Sequence, residues 1–145
     1  MPVFIEFRLA PTQIDVFCRI QDIAAEVGTR DTIVIPSVGP DYGKMMDQAE
    51  ILKDMDFPTA MVLPLSFPGT AEGAVTGVRN FARVFGKKVI VYVKSEDIYT
   101  PPALAELVNE GLVVAIKYAV VREDPTDDAF LSELCTLVDP KVGIA

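Results

Sequence analysis

Five strand-sized runs of almost unbroken apolar residues constrain the fold more than any other feature of this chain. They are TIVIPS from Thr32, TAMVLPLS from Thr59, KVIVYV from Lys88, LVVAIK from Leu112 and KVGIA from Lys141. A strand that is apolar on both sides needs cover on both faces, the condition of a parallel sheet under helices. The segments between the runs carry the helical period instead. Their apolar faces are Val16, Ile20, Ile23 and Val27; Met45, Ala49 and Leu52; Val75, Val78, Ala82 and Phe85; Leu104, Leu107 and Val108; and Leu131, Leu134 and Val138. The runs restart about every 25 to 30 residues, the length of a βαβ unit. Gly28, Gly39, Pro68, Gly86 and Gly111 punctuate the units.

The class is α/β, and two architectures fit. A five-stranded doubly wound sheet is complete at this length. The other is part of a TIM (β/α)8 barrel, whose full form takes about 250 residues. The last run, KVGIA, stops at Ala145 as though in mid-strand. That favours a partial barrel of about five parallel strands, with residues 1–145 as a single domain.

Composition removes whole classes of function. The net charge of -8 is the opposite of the clustered basic face that nucleic acid requires. There is no histidine, which removes Ser-His and Cys-His nucleophile pairs and the usual zinc sites. Cys18 and Cys135 have no metal-ligand spacing and are expected as buried thiols. Neither a metal nor a cofactor is expected. The apolar runs are too short to span a membrane. The start, MPVFIEFRLAP, lacks the basic opening and cleavage site of a signal peptide. The expectation is a cytoplasmic protein.

In both architectures chemistry gathers at the C-terminal ends of the strands. Those ends offer Ser37, Asp41 and Tyr42 after the first run, Ser66 and Thr70 after the second, Tyr92, Lys94, Ser95 and Glu96 after the third, and Lys117 and Tyr118 after the fourth. Several have plain structural roles open to them. Asp41 with Tyr42 is suited to a turn and helix N-cap, Ser66 and Thr70 to the cap of the next helix, Glu96 and Asp97 to a solvated loop and Lys94 to an ordinary surface. Tyr92 and Lys117 stand apart because each lies inside a strand, where alternation aims it at the barrel axis or sheet interior. Lys117 sits between Ile116 and Tyr118 in an otherwise apolar run, a costly place for an unpaired ammonium.

The order of these features resembles the middle of the dihydrodipicolinate synthase and N-acetylneuraminate lyase family. That family's sixth strand carries Gly-Ile-Lys, against Ala115-Ile116-Lys117 here. Its fifth carries a tyrosine, matched by Tyr92 in VIVYVK. Its third ends in a small-residue glycine turn, like PSVG, and its fourth has Val-x-Pro, like Val62-Leu63-Pro64. The likeness covers about residues 14 to 145, the third to seventh strands, and leaves strands one, two and eight without a counterpart. It implies a Schiff base between Lys117 and a small-molecule 2-oxo acid, with Tyr92 as proton shuttle and Ser37, Ser66 and Lys94 as substrate contacts. A lysine that forms an imine attacks as the neutral amine, which apolar surroundings favour.

The departures bear on substrate. The family's Thr-Thr-Gly-Glu is absent from MPVFIEFRLAPTQ, its tyrosine pair is replaced by Leu65 and Ser66, and its Asn-x-Pro turn by VKSEDIYTP. A divergent member with another substrate is implied. Two other readings remain open: a non-catalytic piece of a barrel, and a receiver-type phosphoacceptor domain. The second lacks an acidic pair after the first run. A partial barrel exposes strand edges, so a homo-oligomer is expected, without nucleic-acid or membrane partners.

Overall fold

The computed structural model of the chain describes residues 4–8, 14–28, 32–64, 69–124 and 126–145. Six parallel strands alternate with five helices among them: β1 (Phe4–Arg8), α1 (Ile14–Val27), β2 (Ile33–Val38), α2 (Tyr42–Leu52), β3 (Met61–Val62), α3 (Ala71–Phe85), β4 (Val89–Val93), α4 (Pro101–Asn109), β5 (Val113–Tyr118), α5 (Ala129–Leu137) and β6 (Gly143–Ile144). The sheet order is β1-β2-β3-β4-β5-β6. Sequential order excludes the doubly wound alternative, which reverses direction within the sheet. Right-handed crossovers in one direction set the helices on one side and leave the other open. The result is an open sheet, part of a (β/α)8 barrel.

β1 was not expected. Its sequence, FIEFR, carries two charges that break the apolar continuity of the other strands, yet it pairs with β2 from Phe4↔Ile33 to Arg8↔Ser37. A strand therefore precedes the one read as the third, and six strands replace five. β3 and β6 are shorter than their apolar runs, two residues each.

The helices begin and end for local reasons. Asp41 accepts the Lys44 N–H at 2.9 Å as the N-cap of α2. Thr70 caps α3 through Gly73, and Thr100 caps α4 ahead of the two prolines of its first turn. α3 ends at Gly86, whose φ of 74° is left-handed backbone that a glycine enters without strain. Val75, Val78, Ala82 and Phe85 are buried on α3, as are Met45, Ala49 and Leu52 on α2 and Leu104, Leu107 and Val108 on α4. They pack on the outward-facing Val38, Val62, Val89, Val91, Val93, Val113 and Ile116 of the sheet. α1 departs from expectation: Ile23 and Val27 are exposed, while Ala24 is buried. α1 joins the two strands at the end of the sheet, where less surface lies against it. Cys18 and Cys135 are exposed rather than buried, because both fall on the outward sides of their helices.

One irregularity sets the register. Val89 pairs with Val113, but Ile90 pairs with Ala115, so β5 has one extra residue, Val114, against a single step of β4. This is a β-bulge. Val114 is 42% exposed. Under regular alternation Val113 and Lys117, four residues apart, would share a face; the bulge breaks the alternation, so Val113 packs under the helices and Lys117 faces the open side.

Candidate active site

Alternation after the bulge places Tyr92 and Lys117 on the open, concave side of the sheet, directly paired across β4 and β5. Both are half-buried. The Lys117 Nζ lies 4.5 Å from the centroid of the Tyr92 ring, over its face. An ammonium or iminium there meets the negative face of the aromatic quadrupole. The ring, rather than the phenol oxygen, is the group brought to the lysine.

Below the pair, register aligns Ser37, Met61, Ile90, Ala115 and Gly143 in the next row. A cavity of about 460 Å³ opens on this side, lined by Ile35, Met61, Ile90, Ala115, Lys117 and Ala119 among others. Its described walls are apolar apart from Lys117 and Tyr118, so the amine is a polar group placed over an apolar floor.

The other expected site residues are placed differently. Ser37 is buried, 1% exposed, in the row below Tyr92 and Lys117 rather than at the rim. Lys94 is exposed, beyond the end of β4, and does not line the cavity. Ser66 lies outside the described residues. Asp41 and Thr70 take the capping roles open to them. Tyr42 accepts a hydrogen bond from the Asn80 side chain at 3.0 Å, away from Lys117. Among the described residues, no group of three or more Cys, Asp or Glu side chains converges as a metal site.

Sequence reasoning missed the most connected polar cluster at this end of the sheet. Arg122 donates to both carboxylate oxygens of Asp128 at 2.9 Å and to the Tyr118 hydroxyl at 3.2 Å, and it also pairs with Glu96. The Tyr118 hydroxyl donates to Asp128 at 2.8 Å. Asp128 is also the N-cap of α5, accepting the Leu131 N–H at 2.8 Å. The Arg122 guanidinium holds the Asp128 carboxyl well below the usual carboxylate range. Burial, and then the bond to Asp128, raise the Tyr118 phenol. Glu96 is thus an ion-pair partner and not merely a solvated loop residue. Tyr118 stacks on Phe130 at 5.8 Å, on the helix side of the sheet. The loop after β4 is anchored by Ile98 and Tyr99, both buried. Burial pushes the Tyr99 phenol up, and its oxygen has no hydrogen-bond partner among the described residues. No spacing rule links Glu96, Arg122 and Asp128, which come from two loops and a cap.

No protein-family model and no curated protein matches the sequence. Solved structures do match in shape. Dihydrodipicolinate synthase from Oceanobacillus iheyensis aligns over 94% of this chain and 43% of its own, at 19% identity and a TM-score of 0.72. The Bacillus clausii enzyme of the same name aligns over 94% and 44%, at 17% identity and 0.71. A 2-keto-3-deoxygluconate aldolase variant from Sulfolobus solfataricus aligns over 92% and 43%, at 15% identity and 0.57. The chain spans less than half the length of these three proteins. It is similar in fold to part of a dihydrodipicolinate synthase-like barrel, an aldolase/lyase-type fold.

Proposed function

We propose that Lys117 forms a Schiff base with a 2-oxo acid, pyruvate or a sugar-acid derivative, in a class I aldolase-like lyase reaction. The observation that carries this is the placement of the Lys117 Nζ over the Tyr92 ring at the mouth of an apolar cavity. The likeness in fold to a dihydrodipicolinate synthase and an aldolase supports the same chemistry. The neutral amine adds to the ketone carbon, and the carbonyl oxygen takes up a proton. Loss of that oxygen as water leaves a C=N bond, and its protonated form draws in the electron pair of the neighbouring bond as that bond breaks. The face of Tyr92 stabilises the cation while it exists. Its hydroxyl is the proposed proton shuttle for the carbinolamine. Lys94, Ser37 and Ser66 are proposed only as contacts to the rest of the substrate.

The test is borohydride trapping with pyruvate and with longer 2-oxo acids, followed by peptide mapping. An adduct on Lys117, lost in Lys117→Arg, is expected, since arginine keeps the charge but does not act as a nucleophile. An adduct on another lysine, with Lys117 unmodified, overturns the assignment. One observation favours a second reading: the likeness spans under half of the matched chains, so the segment is then barrel framework without activity of its own. A failure to trap any of the acids favours that reading. The open concave face and the outer edges of β1 and β6, which pair with no further strand among the described residues, also lead us to propose self-association of the chain. A concentration-independent monomer in sedimentation refutes it.

A further inference from the structure

We propose that Arg122 is a positioning residue for Lys117, holding the end of β5 so that the lysine stays over Tyr92. The consequence for catalysis rests on the Schiff-base proposal; the placement of the side chain does not.

Lys117 and Tyr118 are neighbours that point to opposite sides of the sheet. Lys117 faces the cavity, and Tyr118 packs on Phe130 of α5. Whatever fixes Tyr118 therefore fixes the backbone from which Lys117 projects. Tyr118 is fixed twice at its hydroxyl, as donor to Asp128 and acceptor from Arg122. Arg122 is in turn gripped by both oxygens of Asp128, in the bidentate geometry only a guanidinium supplies. Asp128 is bound to the first turn of α5.

The fourth partner gives the cluster its reach. Glu96 belongs to the loop after β4, four residues past Tyr92, and it pairs with Arg122 in the loop after β5. Arg122 thus joins the two loops that follow the strands carrying Tyr92 and Lys117. The Ala119 N–H also donates to the Val93 carbonyl at 2.9 Å, so the backbones meet beneath that bridge. Without Arg122, Asp128 keeps its cap but loses its cation, and Glu96 is released from the neighbouring loop.

The test reads the lysine directly. With lysine labelled at ¹³Cε and each signal assigned by Lys→Arg substitution, the Lys117 resonance is expected upfield, shifted by the Tyr92 ring. It should return to the position of an exposed lysine in Tyr92→Leu. Lys87 lies over the Phe85 ring at the other end of the sheet and serves as internal control. Arg122→Met is expected to collapse the Lys117 shift and leave that of Lys87 in place. Arg122→Lys should recover part of it. Glu96→Gln, which does not touch the α5 cap, should reduce it with little change in melting temperature. With pyruvate and borohydride, Arg122→Met should lower the limiting trapping rate at Lys117 about tenfold with half-saturation unchanged, as expected for a misplaced reacting group.

A Lys117 shift that survives both Arg122→Met and Glu96→Gln overturns the proposal. So does loss of both lysine shifts in Glu96→Gln, since the cluster is then general scaffolding. If the wild type is not trapped, the Schiff-base proposal falls, while the resonances still decide whether Arg122 positions the lysine.

Discussion

Two lysines of this chain lie over aromatic rings at opposite ends of the same sheet. Lys87, just before β4, sits 5.3 Å from the centroid of Phe85 and donates to the carbonyls of Met55 and Phe57, each at 2.7 Å. It closes the turn leading into β3, beside Thr59, whose hydroxyl donates to the Lys88 carbonyl at 2.9 Å. Lys117, at the end of β5, sits 4.5 Å from the centroid of Tyr92 and borders a cavity. The ring contact is common to both and does not distinguish them. The difference is in the setting: two main-chain acceptors hold Lys87, and a cavity borders Lys117. A lysine whose hydrogens are taken up by carbonyls is a staple. A lysine facing a cavity is placed to meet a ligand.

The sharpest way to break this comparison is chemical. Lys117→Arg is expected to abolish borohydride-dependent labelling by a 2-oxo acid, and Lys87→Arg to leave it intact. Equal labelling of the two lysines erases the distinction. Next in size is stability. Lys87→Met removes the ammonium from the carbonyls of Met55, which keeps the Phe57 N–H, and of Phe57, and should cost about 1–2 kcal/mol, read as a lower urea midpoint. Lys117→Met should cost less than Lys87→Met. A reversed order would make Lys117 the structural residue. A smaller effect is expected at the ring itself. Tyr92→Leu should lose about 0.5–1 kcal/mol of cation–ring attraction while Tyr92→Phe keeps it; in trapping, Tyr92→Phe should slow the adduct without preventing it.

The smallest effect is confined to acid. The folded-state pKa of Asp128 is depressed, so its contribution to stability is fully present above the unfolded carboxylate value of about 3.9. That contribution is lost as pH falls through the folded value. The stability gap between wild type and Asp128→Asn should be constant from pH 7 to about 5 and narrow below about 4. A gap that widens on acidification contradicts the Asp128–Arg122 pairing.

The sequence discloses these regions unequally. Apolar continuity identified the strands from β2 onward because they are apolar on both faces, one under the helices and one along the open side, but it passed over β1, where Glu6 and Arg8 interrupt the pattern. Helix periodicity held for α2, α3 and α4 and misjudged Ile23 and Val27, since it reports which residues share a face and not how much surface covers that face. Tyr92 and Lys117 stood out as polar groups inside apolar strands, and the structure sets them side by side. Ser37 did not reach the rim because it falls one row lower. Arg122 and Asp128 were invisible because charged residues in a loop look alike until the fold brings them together. Glu96 was read as solvent-facing for the same reason.

The extra residue in β5 gives this end of the molecule a dependence on phase. Val114 makes no contact with Tyr92 or the ion-pair cluster among the described interactions, yet the bulge that absorbs it keeps the residues beyond it in step with β4, so that Lys117 stays paired with Tyr92. A one-residue slip in a strand reverses every side chain downstream. Deleting Val114 would remove the bulge and leave a regular ladder with Lys117 still on the open side. One residue inserted between Ala115 and Lys117 would instead turn Lys117 toward the helix layer and Tyr118 toward the open side, without changing a single reactive group. The chemistry of the site is therefore written partly as a count: in β5 a substitution alters one contact, whereas a residue gained or lost among the paired positions from Ala115 to Lys117 exchanges the roles of both faces.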